Sequence, residues 1–177
     1  MDSPDFQIGM MPSWQDKERW GNFLQRLSAL FERDTCLRDV KYLAYQVKKL
    51  TEEIDPLIQE FTSAVCPSCR EVCCINRHGY YALDDLIYIC GLGLEPPQYR
   101  EGVEDTAPCQ FLGQGGCVFE RSVRPFRCNW YFCTPLLNHM DSGSARKYRE
   151  FTRRFTKIQE KRKEMLGQFF SLSRRLL

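Results

Sequence analysis

Apolar residues recur at helical spacing along the first part of the chain. Between Trp14 and Phe31 they are Trp20, Phe23, Leu24, Leu27, Leu30 and Phe31. A second series follows in steps of four and three residues: Cys36, Val40, Leu43, Val47, Leu50, Ile54, Leu57 and Phe61. This spacing predicts amphipathic helices whose apolar faces need a partner. We therefore expect N-terminal helices over residues 14–65, preceded by a loose arm over residues 1–13.

A third apolar series near the end of the chain supplies that partner. It comprises Tyr148, Phe151, Phe155, Ile158, Met165, Phe169, Leu172 and Leu176, with Arg162 at one position of the seam. It predicts a C-terminal helix over residues 143–177 that packs against the N-terminal helices as a bundle. Pro56 interrupts the second series. Because proline lacks a backbone donor, we expect Pro56 at the start of a new or kinked helix.

The middle of the chain, residues 66–142, has only short apolar runs. "ALDDLIYICGLG" predicts a short helix with Asp84 near its beginning and Gly91 or Gly93 at its end. "CQFLGQGGCVFE" predicts a hairpin of two short strands around the turn "GQGG". The expected fold is mainly α and forms one domain over residues 1–177. In it, long helices pack as a bundle against an irregular cysteine-rich region, residues 66–135, with a short β-hairpin.

Composition places this fold among globular proteins. The 177 residues are 43% hydrophobic and 13% aromatic, which suits one domain with a real core. The first twenty residues lack the pattern of a secretory signal, and the longest apolar run, "LIYICGLGL", is far too short for a membrane span. We therefore expect a soluble, cytoplasmic protein with no membrane contact. In such a compartment clustered cysteines favour metal or redox chemistry over disulfides.

The charge is distributed unevenly along the chain. The net charge is +2, but the segment 144–177 contains eleven Lys or Arg and three Glu, a net charge of +8. We interpret this segment as the solvated face of a helix docked on a more acidic body. Attraction of nucleic acid or of an acidic protein partner is the alternative.

Eight of the ten cysteines lie in the middle region: Cys66, Cys69, Cys73, Cys74, Cys109, Cys117, Cys128 and Cys133. The other two, Cys36 and Cys90, fall within apolar series and are predicted to be core residues. The C-x-x-C spacing of Cys66 and Cys69 lets two sulfurs bind one metal. We expect Cys74 to point away from Cys73, since neighbouring side chains diverge in regular backbone. The four later cysteines then complete the ligand set.

The run "CPSCREVCC", followed by "YALDDL" and "APCQFLGQGGCVFERSVRPFRCNWYFC", resembles the CxxCxxCC family of zinc- or iron-chelating cysteine-cluster proteins. The matching residues are Cys66, Cys69, Cys73, Cys74, Cys109, Gly116, Cys117, Arg124, Pro125, Cys128 and Cys133. The chain departs from the family where Gln110 follows Cys109 and Asn129 follows Cys128. The resemblance implies metal chelation. The cluster is also similar to that of flagellin lysine N-methylase, but the sequence contains no methyl-donor motif, so that activity is not carried over.

Iron–sulfur and zinc are both open as the cofactor. Only one close-spaced cysteine pair is present, and prolines and aromatic residues flank the cysteines, which favours an iron–sulfur centre over zinc. His78 lies four residues after Cys74, where it is either a ligand or a histidine bonded to backbone, and the second interpretation is preferred. Arg124 and Arg127 are expected to bond thiolates or carboxylates in a structural role.

Three functions fit these features. The first is a metal-binding protein in redox sensing or electron transfer. The second is a metal-dependent modification enzyme, with a pocket lined by Tyr80, Asp84, Asp85, Arg124 and Arg127. The third is a metal-stapled interaction module that binds a partner through the basic helix, for which Arg153, Arg154, Lys157 and Lys161 are the candidates. The sequence assigns no catalytic residue, and we rank the functions in this order.

Overall fold

Two long helices form the body of the protein. The structure is a computed structural model that describes residues 11–33, 35–70 and 72–176, with the side chains of 174–176 excepted. Helices α2 (Arg38–Val65) and α7 (Ala145–Leu176) lie against one another, and α1 (Lys17–Arg33) and α4 (Leu83–Gly91) pack onto them. The predicted mainly α fold, with long helices at both ends of the chain, is confirmed.

The remaining elements of the described chain are short. They are α3 (Asn76–Gly79), β1 (Leu112–Gly113), β2 (Gly116–Cys117), α5 (Arg127–Trp130) and α6 (Thr134–Ser142). Turns of 3₁₀ helix lie at Thr35–Leu37, Cys66–Ser68 and Arg121–Val123. The two strands form the predicted antiparallel hairpin, with Leu112 opposite Cys117 and Gly113 opposite Gly116. The predicted helix in "ALDDLIYICGLG" is α4, and Gly93 follows its end with a φ of +71°.

The apolar faces predicted from spacing form the core. Buried residues of α2 and α7 include Val40, Leu43, Val47, Ile54, Phe61, Phe151, Ile158, Met165 and Phe169. Phe169 of α7 stacks on Phe31 of α1 with ring centroids 5.6 Å apart. Tyr148, by contrast, is exposed. The predicted arm falls largely on residues 1–10, which lie outside the described residues, as does the side chain of Leu176.

Pro56 lies inside a helix, contrary to the prediction. Helix α2 runs without a break from Arg38 to Val65, although Pro56 offers no amide hydrogen to the carbonyl one turn earlier. Ile54 and Ile58 on either side of it are both fully buried. The guanidinium of Arg154 on α7 donates to the nearby Glu53 carbonyl at 2.8 Å. Packing against α7 therefore outweighs the local cost of proline.

One of the two predicted core cysteines is exposed. Cys36 lies in the turn Thr35–Leu37 between α1 and α2, and its neighbour Leu37 is buried instead. The prediction for Cys36 was wrong because this turn breaks the helical spacing. Cys90 of α4 is buried as predicted, with its sulfur 3.7 Å from the Ser28 hydroxyl.

Glycine at position 91 allows α4 to approach α2 closely. A Cβ atom on Gly91 would lie 3.1 Å from the Cβ of Ala44, and neither atom can move away by side-chain rotation. We expect Gly91→Ala to destabilise the protein by about 1–3 kcal/mol through overpacking. The matched control is Gly21→Ala in α1, where nothing lies within 4 Å. That change should stabilise by about 0.5–1 kcal/mol through helix propensity. Urea unfolding followed by circular dichroism measures both, and similar values for the two variants would contradict the prediction.

Candidate cysteine centre

The eight cysteines of the middle region come from four parts of the fold. Cys66, Cys69, Cys73 and Cys74 lie in the segment that follows α2, and Cys109 and Cys117 flank the hairpin. Cys128 is in α5, and Cys133 immediately precedes α6. None of the ten cysteines, all of which the structure describes, forms a disulfide. The candidate ligands therefore come from segments that are distant in sequence.

The first two cysteines share a single turn. The chain leaves α2 at Val65 and enters the 3₁₀ turn Cys66–Ser68, where the Cys69 amide donates to the Cys66 carbonyl at 3.2 Å. Burial raises the pKa of the Cys66 thiol, and the nearby sulfurs of Cys73, Cys133 and Cys69 raise it further. The C-x-x-C pair therefore lies close to cysteines that follow it by up to 67 residues.

The thiols of Cys73 and Cys74 act on each other, but the other cysteines near them differ. Cys73 acts on Cys133, whereas Cys74 acts on Cys128, Cys66 and Cys109, and the divergence of the two side chains stays a prediction. The Ile75 amide donates to the Cys73 carbonyl at 3.0 Å and forms a three-residue γ-turn centred on Cys74. The bond from Cys73 lowers the pKa of the Cys74 thiol, whereas bonding to Cys74 and burial raise the pKa of Cys73. Adjacent thiols in this turn act as a pair.

Backbone pairing joins this segment to the hairpin. Ile75 and Pro108 form an isolated antiparallel bridge, and the Cys109 amide donates to the Cys74 carbonyl at 2.8 Å. Cys117 lies on β2 opposite Leu112. The Leu112 amide donates to the Cys109 carbonyl at 2.8 Å, which connects Cys117 to Cys109 through the hairpin. The pKa of the Cys109 thiol is raised by burial and by the neighbouring Cys117.

The thiols of Cys109 and Cys128 lie against helix α3. The Cys128 thiol donates to the His78 carbonyl, with 3.6 Å between sulfur and oxygen. A Cβ atom on the next residue, Gly79, would lie 2.8 Å from the sulfur of Cys109, so any side chain there would displace that sulfur. Burial raises the pKa of Cys128 to about 12, and Cys117 and Cys109 contribute to that rise. The sulfurs of Cys109, Cys117 and Cys128 therefore lie near one another.

Two arginines place positive charge beside the thiols. Arg121 is buried, pairs with Asp55 of α2, and acts electrostatically on both Cys66 and Cys128. Arg124 lowers the pKa of Cys128, and its guanidinium donates to the Phe119 carbonyl at 2.8 Å. The sequence analysis missed Arg121, because the irregular segment around it has no periodicity that marks a buried position. The expected partner of Arg124 was a thiolate or a carboxylate, whereas its side chain bonds the Phe119 backbone.

His78 bonds to backbone, as the preferred interpretation expected. Its Nδ1 atom lies 3.0 Å from the Cys73 carbonyl, and its ring lies 4.9 Å from that of Tyr131. The imidazole thus bridges α3 and the segment that carries the paired cysteines. Its Nδ1 atom is engaged with this carbonyl, which leaves Nε2 as the nitrogen available for any other interaction.

The residues expected to line an enzyme pocket are partly engaged elsewhere. Asp85 is buried, and its carboxylate accepts bonds from Arg162 at 2.7 Å, from the Phe126 amide at 3.0 Å and from the Ala82 amide at 3.1 Å. A shallow groove of about 430 Å³ along α7 is lined by Arg162 but by none of the eight cysteines.

No preformed metal cage is present in the described part of the chain: no three His, Cys, Asp or Glu side chains there are arranged to hold a metal ion. The cysteines nevertheless form one connected network through their pairwise interactions. Thiolates are the ligands that zinc and iron–sulfur centres use, so the donor set fits either of them.

The described helices also include none that is long and apolar enough to cross a membrane. No family model, no curated protein and no solved structure matches the chain, and the resemblance to the CxxCxxCC family stays a prediction.

Proposed function

We propose that the protein binds a metal centre through the thiolates of the middle region and that this centre carries its activity in electron transfer or redox sensing. The observation that supports the proposal is the connected network of eight thiols, assembled from four parts of the fold without a disulfide. In small metal-binding regions, metal binding and local folding are coupled.

The electrostatics of the network favour a bound cation. Burial and mutual proximity raise the pKa values of Cys66, Cys73, Cys109 and Cys128, so these groups are neutral and poor ligands while no metal is near. A cation of charge +2 or more reverses this balance, because it deprotonates coordinating thiols outright. Arg121 and Arg124 offset part of the remaining negative charge.

An aromatic cluster and polar bonds hold the region around the thiols, and in the cluster Phe111 packs on Phe119 with ring centroids 4.8 Å apart. The backbone of this region is held by bonds from polar groups: the Asn76 side chain bonds the Glu104 carbonyl at 2.9 Å and the Gln110 amide at 2.8 Å. Two tyrosine hydroxyl groups donate hydrogen bonds to carbonyls of the turn Arg121–Val123: that of Tyr81, just before α4, and that of Tyr88, in α4. A metal centre supplies the additional cross-links that such a segment needs.

An iron–sulfur centre is our first candidate and zinc our second. Iron–sulfur clusters accept thiolates that are scattered in sequence, and their potential depends on nearby apolar groups. Phe132, next to Cys133, packs on Phe151 of α7 with ring centroids 5.3 Å apart, and Trp130 and Tyr131 flank Cys128. When bound, an iron–sulfur cluster would supply reversible one-electron chemistry. The protein's own residues would hold it, neutralise its charge and limit its contact with water.

The basic helix lends less support to the interaction module. Several of its charges are paired within the protein: Lys147 with Glu60 of α2, Arg154 with Glu150, and Lys161 with Glu164. Arg162 is buried against Asp85. The pairs with Glu60 and Asp85 join α7 to neighbouring elements, whereas the other two pairs lie within α7.

Metal analysis of anaerobically purified protein tests the proposal. We expect iron with acid-labile sulfide and a broad visible absorption, or, for the second candidate, colourless protein that contains zinc. The control is the Cys36→Ser variant, which changes a thiol in the turn between α1 and α2 and should keep the full metal content. Wild-type protein that contains no metal, and that takes up neither iron nor zinc on reconstitution, would contradict the proposal.

A further inference from the structure

We infer that the eight cysteines form two separate four-cysteine metal centres that meet at the Cys73–Cys74 pair. The first set is Cys66, Cys69, Cys73 and Cys133. The second set is Cys74, Cys109, Cys117 and Cys128. This inference rests on the proposed function, and it adds the number of centres and the ligands of each.

The first set lies between the end of α2 and the beginning of α6. Cys66 and Cys69 share one turn, closed by the 3.2 Å bond between the amide and carbonyl of these two residues. Cys133 directly precedes α6, and the Leu137 amide bonds its carbonyl at 3.0 Å. Helices α2 and α6 contact one another, with the ring centroids of Phe61 and His139 6.4 Å apart. Cys66 and Cys69 follow the end of α2 and Cys133 precedes the beginning of α6, and Cys73 lies near enough to Cys133 to act on its thiol.

The second set lies around α3 and the hairpin. The backbone bond between Cys109 and Cys74, 2.8 Å long, places these two residues side by side. The sulfur of Cys109 lies above Gly79, and that of Cys128 bonds the neighbouring His78 carbonyl. Cys117 comes from the second strand of the hairpin and interacts with both Cys109 and Cys128.

The two sets touch at one place. Among the described interactions, those that join the two sets are between Cys74 and Cys73 and between Cys74 and Cys66. The γ-turn there reverses the chain, so that it leaves the first set at Cys73 and joins the second through the pairing of Cys74 with Cys109. Arg121 lies near a member of each set, Cys66 and Cys128.

Ligand number argues for the same division. Zinc in structural sites and iron–sulfur clusters of the common types each take four protein ligands. A single such centre would use four of the eight thiols and leave the other four uncoordinated. Two centres use every thiolate.

The division is tested with cobalt(II), which adopts tetrahedral thiolate sites and reports them through its visible and charge-transfer absorption. The reduced, metal-free full chain is titrated in four forms: wild type, Cys66→Ser with Cys133→Ser, Cys109→Ser with Cys117→Ser, and all four changes together. Cys36→Ser is the control outside both sets. We expect about two equivalents of cobalt for wild type and for the control, about one for each double variant, and none for the quadruple variant.

Several results would overturn the division while leaving metal binding intact. These are saturation of wild type at one equivalent, loss of all cobalt in either double variant, or uptake of more than two equivalents through bridging sulfurs. Wild type that binds no cobalt, iron or zinc would instead contradict the proposed function itself. Circular dichroism of each variant checks that α2 and α7 stay folded. If a double variant unfolds, the wild-type stoichiometry and the number of thiolates per cobalt still decide between one centre and two.

Discussion

Asp85→Ala is expected to destabilise the protein by about 3–5 kcal/mol, because it leaves the Arg162 guanidinium buried without its partner. Both side chains are 8% exposed, and the bond between them is 2.7 Å long. The guanidinium also lies over the ring of Phe126, 4.6 Å from its centroid, which does not replace the lost negative charge. The Ala82 and Phe126 amides lose their carboxylate acceptor as well.

The loss of stability in Asp85→Ala should extend to the segment that carries Cys128. Phe126 is two residues before Cys128, and its amide bonds the Asp85 carboxylate at 3.0 Å. Asp85 thereby joins three elements: α4, α7 and the segment that leads into α5. We expect Asp85→Ala to loosen that segment in addition to lowering global stability.

Two controls separate the buried pair from a general effect of charge. Asp84→Ala removes the neighbouring carboxylate, which is only half-buried, and should cost no more than about 1 kcal/mol through the helix dipole. The double variant Asp85→Leu with Arg162→Met replaces the ion pair by apolar groups and should recover most of the loss. Urea unfolding at constant metal content provides the measurement. Equal stability of Asp85→Ala and Asp84→Ala would contradict the assigned role.

The same pair illustrates what a sequence can and cannot predict. Spacing alone correctly identified the faces of α2 and α7, since a helix buries residues at a fixed period. Arg162 appeared as a break in the α7 series, yet it is buried at the seam. Its partner Asp85 lies 77 residues earlier in the chain. Periodicity reports which residues share a face, but it does not report which distant carboxylate meets that face.

The cysteine region shows the same limit on a smaller scale. The hairpin around "GQGG" was visible from its glycines, whereas the assembly of the eight cysteines around a metal stays a prediction. The prediction that Cys73 and Cys74 diverge assumed regular backbone. The i to i+2 bond from Ile75 to Cys73 replaces that backbone with a γ-turn. No residue type marks such a turn reliably, so the turn at Cys74 had to come from the structure.

Removal of the proposed metal centre is expected to open the cysteine region while the long helices stay folded. The amides of Cys69, Ile75 and Cys109 bond the carbonyls of Cys66, Cys73 and Cys74, so they report directly on this region. If the metal cross-links hold the region, its loss exposes these amides, and their protection against hydrogen exchange should fall by about tenfold or more. The measurement is hydrogen exchange by mass spectrometry on the full chain, reduced and anaerobic, with and without a chelator.

The core of the bundle provides the internal control. Ile54, Ile58 and Met165 are fully buried, and Phe31 stacks on Phe169 away from the thiols. Exchange in the middle of α2 and α7 should therefore change by less than about twofold, because apolar burial rather than metal holds these helices. A uniform loss of protection would mean that the whole chain depends on the metal. Unchanged exchange at Cys69, Ile75 and Cys109 would mean that polar contacts alone hold the region, and a folding role for the metal would then be wrong.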